Sequence, residues 1–351
     1  MRRSAHQRFR AGYADLMTTS RVAEVGALPT PRGELSAQVN DLLAGAPGSA
    51  VPPLPDLDPY GEDFQLALHT CYELHYHGYE SVDAGWEWDP GLLTLRAAME
   101  QRYLRALRDD VPGGADLDAE LENLLVTPAE ESGVSVFLRD EGRPWHLREY
   151  FVHRSIYHHK EADPYVWAIP RLRGQAKASL VAVEFDEFGG GRAERVHAQL
   201  YADLLADAGL DPGYLHYLDI VPAPMLALVD MMSLFGLHRA WRGALVGHFA
   251  NVEITSSPGA RRMAEALGRW NFGPACTLFY TEHVEADAVH EQVMREVITD
   301  LLAREPELRE SVVFGIQVTN LLEDRLAEHI MGCWREDRTS LREPLPDADH
   351  D

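Results

Sequence analysis

Apolar side chains recur at intervals of three and four residues over most of this chain, the repeat that lines them along one face of an α helix. Phe64–Tyr79 and Leu92–Leu107 show it first, with Asp89 and Pro90 placed to cap and open the second. Leu35–Leu43 and Asp116–Leu125 are shorter candidates. From Trp145 onward the repeat predicts helices over 145–161, 172–188, 192–209, 221–236, 238–256, 258–270, 276–304 and 308–335. Ser257-Pro258 reads there as a cap followed by a proline at a first helical position. Ser132–Leu138 is β-prone and reads as an extended link or a small strand. Long amphipathic helices with short connections make an all-α bundle.

Breaks in the pattern divide the chain. Residues 1–60 form a weakly ordered N-terminal segment in which Gly45–Pro59, rich in Gly and Pro, reads as an extended linker. Residues 61–135 are a helical extension suited to dimerisation, 136–337 the core, and 338–351 an acidic tail expected to fray.

Composition narrows the partners. The 351 residues carry a formal charge of −24, which argues against nucleic acid and against an anionic membrane surface. No apolar run approaches the roughly 18–20 residues of a membrane span. Cys71, Cys276 and Cys333 are far apart and form no CxxC pair, which suits a reducing cytoplasm. The paired arginines near the start are not followed by an apolar segment, so no export signal is read.

The chemistry concentrates in His283-Val-Glu-Ala-Asp287-Ala-Val-His290. His283, Asp287 and His290 stand at i, i+4 and i+7 and share one narrow helical face. Two imidazoles and a carboxylate in line can bind iron or manganese; a solvated, charged helix face is the plainer reading of the same pattern. A second set lies upstream. Glu194-Arg-Val-His197 is an ExxH pair, which on a helix puts both groups on one face. Glu187 stands seven residues before Glu194, nearly two turns, with Gly189-Gly190-Gly191 between them. Three glycines inside a helix cost roughly 2–3 kcal/mol against alanine, so a bend, an unwound stretch or a plain loop is expected there. Glu253, in an otherwise apolar helix, and Glu161 supply lone carboxylates. Two lone carboxylates and two carboxylate–His pairs three apart are what a helical bundle uses to hold two irons. A further stripe, His69, Glu73 and His77, reads as core or interface histidines.

On Glu187 with His197 ten residues on, Glu253 thirty before His283, and the His283-x-x-x-Asp287-x-x-His290 signature, the sequence resembles the haem-oxygenase-like di-metal oxidases, or iron-containing redox enzymes, over roughly Trp145 to Trp334. The resemblance implies a haem-oxygenase-like helical bundle holding two irons (Fe(II)/Fe(III)) without haem, with O2 as co-substrate activated through a peroxo-di-iron(III) species. By carry-over Glu187, His197 and His290 lie mainly on one iron, and Glu253, His283 and Asp287 mainly on the other. It is similar to the N-oxygenases of that family in carrying Glu161 and Glu194 as further acids. It therefore implies N-oxygenation of an amine of a small natural-product precursor, with an external electron donor, in a homodimer. Access would run between the helices carrying Glu187 and Glu253, walled by Tyr157, Trp167, Phe185, Phe188, Phe249, Phe279 and Tyr280, with Arg239, Arg242 and His248 free to pair with an acid.

Other classes stay open. A di-iron oxidase could instead cleave C–C bonds of, or desaturate, an amino or fatty acid. A ferritin-like metal protein would use nearly the same residues without needing Glu187 or His283. A haem-degrading bundle would need a glycine-rich distal helix, a thiaminase-like hydrolase would need Cys276 as nucleophile, and a non-catalytic bundle would bind no metal.

Overall fold

The computed structural model describes residues 25–125 and 133–346; the side chains of residues 285–289, Asp287 among them, lie outside that description. The described residues form thirteen α helices joined by short turns and 3₁₀ segments, with no strand among them. Helices α1 (Glu34–Leu43), α2 (Glu62–Glu73), α3 (Pro90–Asp110), α4 (Leu117–Leu125) and α5 (Val134–Asp140) precede the core. The core helices are α6 (Pro144–His158), α7 (Asp163–Val166), α8 (Gly174–Glu187), α9 (His197–Asp207), α10 (Ala223–Leu237), α11 (Arg242–Trp270), α12 (Pro274–Arg304) and α13 (Arg309–Trp334).

Side-chain caps, near and distant in sequence, and prolines in the first turn mark several helix starts. The Asp89 carboxylate accepts from Leu92 N, with Pro90 at the first position of α3. Asp63 of α2 accepts from Leu35 N at 2.9 Å and Ser36 N at 2.7 Å, capping α1 from another helix. Asp207, the last residue of α9, caps α12 by accepting from Ala275 N at 2.8 Å and Cys276 N at 3.2 Å.

Four expectations change. Val134–Asp140 is a helix, so the β-prone run is not a strand; Leu138 is buried as part of a helical face. The predicted helices 238–256 and 258–270 are one, α11, with Pro258 inside it. That proline removes one helical donor, and buried residues on both sides, Glu253 and Ile254 before it and Ala260 and Met263 after, carry the helix through. The segment after α1 is extended, but residues 25–60 are not loosely attached: Leu35, Val39 and Leu43 are wholly buried, and the buried Arg32 reaches Glu62 at 2.6 Å. The tail is docked as far as it is described. Leu341 and Leu345 are buried, and Ser340 and Arg342 donate through backbone N–H to Glu149 and to Ile220 O.

The extension and the core share one apolar cluster running from Leu35 to Leu345. Helix α2 packs on α10, where His69 Nδ1 meets Asp230 Oδ1 at 2.8 Å and both side chains are buried. Tyr103 of α3 donates to Ala227 O at 2.8 Å. Helix α11 lies along both α12 and α13, and α12 also packs on α8 and α9. The centre of the bundle is therefore the space that α8, α9, α11 and α12 enclose.

Candidate metal centre

Helices α8 and α12 run antiparallel in a fixed register. Ala176 N donates to Asp300 at 2.9 Å, Ser179 Oγ donates to Glu296 at 2.7 Å, and Asp186 meets His290 Nε2 at 3.2 Å. These rungs bring the end of α8 to the middle of α12, so Glu187, its last residue, is buried opposite His290. The chain then turns through Gly189–Gly191, all three with positive φ. Gly189 has a second constraint: a Cβ there would lie 2.5 Å from the Arg195 carbonyl carbon. Only glycine combines that backbone with that approach, and the turn it permits returns His197, first residue of α9, to Glu187.

His197 Nδ1 and Glu187 Oε2 stand 2.7 Å apart, yet Nδ1 has no aligned hydrogen-bond partner. His290 Nδ1 lies 3.1 Å from Glu253 Oε2, contributed by α11, and 3.9 Å from Glu187 Oε1. One ligand atom each from Glu187, Glu253 and His290 fall within 4.8 Å of one another, and all three residues are buried. His283 is seven residues before His290 on α12. Its Nδ1–H donates to Phe279 O at 2.7 Å, which leaves Nε2 as the lone-pair nitrogen, buried and without a partner. Its ring stands 4.7 Å from that of His197. Glu161 follows α6 in a turn and takes a 2.7 Å contact from His158 Nδ1.

Two sequence expectations change here. Glu194 and His197 do not share a helical face. Glu194 is exposed on the 3₁₀ turn Ala193–Arg195, and the extended Val196 separates it from α9. Glu161 is near the cluster but on a turn, since α6 ends at His158. Asp287 lies outside the described side chains. Two acids escaped the sequence reading. Asp186 holds His290 from an exposed position. Glu184, one turn before Glu187 on the same face of α8, is buried with both carboxylate oxygens unpartnered. Its three-residue spacing from Glu187 in Glu184-Phe-Asp-Glu187 was the available signal.

Burial and neighbouring charges shift the ionisable groups of the site. Burial disfavours a charged His197 and His290, but Glu187 beside the first and Glu253 beside the second carry each up to about 9. Burial pushes Glu184 up to about 9, with Glu187 and Glu253 adding to it. So many carboxylates gathered out of water require protons or a cation.

The donor set fits iron. Carboxylates and imidazoles suit it; His283 Nε2 is an orphaned buried ligand atom, and its backbone-bonded Nδ1 is the outer contact that orients a ligating histidine. A family model described as iron-containing redox enzyme matches residues 148–324. The chain belongs to that family. A search of curated proteins finds no match. Membership makes this iron-containing redox enzyme an oxidoreductase whose function depends on iron, on an all-α, haem-oxygenase-like fold. No helix among its described residues is long and apolar enough to cross a membrane.

A cavity of about 1430 Å³ opens from Glu161, Glu187 and His197 of this redox enzyme toward His77, Tyr214 and the 211–219 turns. Of the seven aromatic residues expected to wall the entrance, only Phe188 lines it; Phe279 and Tyr280 are core residues and Phe185 is exposed. Arg242 pairs with Glu305, and His248 is bonded within the core to Tyr165 and Thr319, so neither awaits an acid. Cys276 is buried, its thiol pushed up to about 12 by burial and then by Asp207, which suits packing and not nucleophilic attack. The glycine run is a turn between helices, not a glycine-rich helix.

Proposed function

We propose that this iron-containing redox enzyme is a non-haem di-iron oxygenase that N-oxygenates an amine of a small precursor. Glu187, His197 and His290 would hold mainly one iron, and Glu253, His283 and Asp287 mainly the other, with Glu161 as a further acid; Glu194, exposed on its turn, is left out of the set. The pair would supply O2 reduction, the hard chemistry that a cofactor carries. One oxygen atom bonds to nitrogen and the other leaves as water. The two electrons this requires come from an external donor, and two protons complete the balance (R–NH2 + O2 + 2 e⁻ + 2 H⁺ → R–NHOH + H2O).

The observation that carries the reading is the orphaned Nε2 of His283 beside His197 and Glu187. A ferritin-like site would need neither His283 nor Glu187. The amine is favoured by the cavity wall, which sets Asp163, Asp203, Asp211 and Asp219 against a single ammonium, Lys160, itself paired with Glu73. Such a wall attracts a cation and repels a fatty acid carboxylate. The chain's own groups bind and orient: the acidic wall draws the protonated amine in, and a carboxylate at the inner end can take its proton and free the nitrogen lone pair.

The test is anaerobic loading with Fe(II), iron counted per chain, then mixing with O2 under stopped flow. About two irons and a transient visible absorption whose decay is accelerated by amines support the reading. Decay accelerated only by fatty acids would move it to the carbon-cleaving alternative, and absence of iron uptake would sink it. A homodimer remains part of the proposal, checked by light scattering of the loaded protein.

A further inference from the structure

The extension contributes an acid to the core that the iron chemistry does not use. Glu73, at the end of α2, is wholly buried, and its Oε2 lies 2.5 Å from the ammonium of Lys160, also wholly buried. Tyr214 donates to the same oxygen at 3.2 Å, and His77 N donates to Oε1 at 3.3 Å. The ammonium sits 4.4 Å from the centre of the Tyr76 ring and 5.8 Å from that of Tyr214. A dehydrated ion pair of this kind adds little net stability, because desolvating both charges cancels most of their attraction, while losing one partner is severe. What the pair does fix is position. Lys160 immediately precedes Glu161, and the two side chains of this turn go to different neighbours, Lys160 to the extension and Glu161 to His158 beside the cluster. Backbone bonds from Lys160 N to Tyr157 O and from Asp163 N to Lys160 O tie the turn to Lys160 at both ends.

We propose that the buried Glu73–Lys160 pair is a positioning device through which the N-terminal extension sets Glu161 at the iron site. This rests on the di-iron reading above. Neither residue is among those that would hold iron; both act on the site through Glu161. The extension is then a working part of the site, whether or not it also serves association.

Anaerobic Fe(II) titration with iron counted per chain tests this on the wild type, Glu73→Gln, Lys160→Met and the double variant. Wild type is expected to bind two irons. Each single variant should weaken one of them roughly tenfold, the lower end of what loss of an outer partner costs a metal site, and leave the other unchanged. The double variant should be no worse than Lys160→Met, since both changes remove one interaction. Tyr103→Phe, which removes the buried bond from α3 to Ala227 O, should lower thermal stability without changing either affinity. Wild-type affinities in both single variants, or a Tyr103→Phe that weakens iron equally, would overturn the positioning role. A wild type that takes up no iron would overturn the di-iron reading and this inference with it, a distinguishable result. If Lys160→Met does not fold, Glu73→Gln, which keeps the shape and an acceptor, decides the matter alone.

Discussion

His283 shows how much one side chain can carry. A buried imidazole with one nitrogen on a backbone carbonyl and the other facing no partner gives up a hydrogen bond unless something else takes the lone pair. If that is iron, His283→Gln should lower affinity for one iron by more than the roughly 10–100-fold that loss of an outer contact costs, with the second iron retained. Iron counts after gel filtration check this, and unchanged counts would make His283 an ordinary core histidine. At this scale the sequence was informative where spacing on one continuous helix sufficed. His283 and His290 share α12, so seven residues translated directly into a common face. Glu194 and His197 did not translate, because the extended Val196 interrupts the helix that their ExxH spacing presumes. His197 is instead brought to Glu187 by the return of the chain through Gly189, a contact ten residues apart that helical periodicity does not describe. Glu184 was legible in principle, but an acid in a helix reads as surface until packing shows it buried.

Helices α11 and α13 cross with almost no space between their backbones. A Cβ on Gly247 would run into the Val312 carbonyl, and one on Gly315 into that of Ala244. Gly247 lies less than two turns before Glu253, so this crossing sets the depth of a proposed ligand. Gly247→Ala should destabilise by about 1–3 kcal/mol through overpacking, read by urea unfolding, and shift Glu253 enough to weaken iron. Unchanged stability would mean the helices part easily. The sequence did not disclose this seam, since isolated glycines in a helical pattern are legible only as a cost. It also misjudged Pro258 for a related reason. Ser-Pro is a sound local start signal, but burial on both sides outweighs one lost backbone bond. Other boundaries were legible where the signal is local, as where Asp89 and Pro90 open α3 from adjacent positions; the caps that Asp63 and Asp207 supply to α1 and α12 come from other helices and were not.

The molecule as a whole also encloses histidines outside the proposed ligand set, and these make its stability depend on pH. His248 is wholly buried between Tyr165 Oη, 2.9 Å from Nε2, and Thr319 Oγ1, 2.8 Å from Nδ1. Burial lowers its pKa to about 4, against the opposing pull of Glu323 and Glu161. His153, bonded to Ser340 Oγ, is lowered to about 3 by burial and then by His329 and Arg154. An exposed histidine titrates near ~6.5, so the unfolded chain takes up these protons first. Stability should therefore fall as pH drops from ~6.5 toward 4, by on the order of 1–3 kcal/mol for His248. His197 and His290 act in the opposite sense in the metal-free protein. Raised to about 9, their contribution is complete below ~6.5 and is lost as pH rises through 9. The wild-type slope thus mixes two signs, and the informative quantity is the difference between wild type and His248→Gln, whose amide can still bond both hydroxyls. Urea unfolding at pH 7.5 and pH 5 should show the variant losing less stability than wild type on acidification. Equal losses would mean that His248 takes its proton without breaking the packing of α7, α11 and α13. The acid sensitivity would then have to come from His153 or from the carboxylates at the bundle's centre, and loading with metal should abolish only the second part.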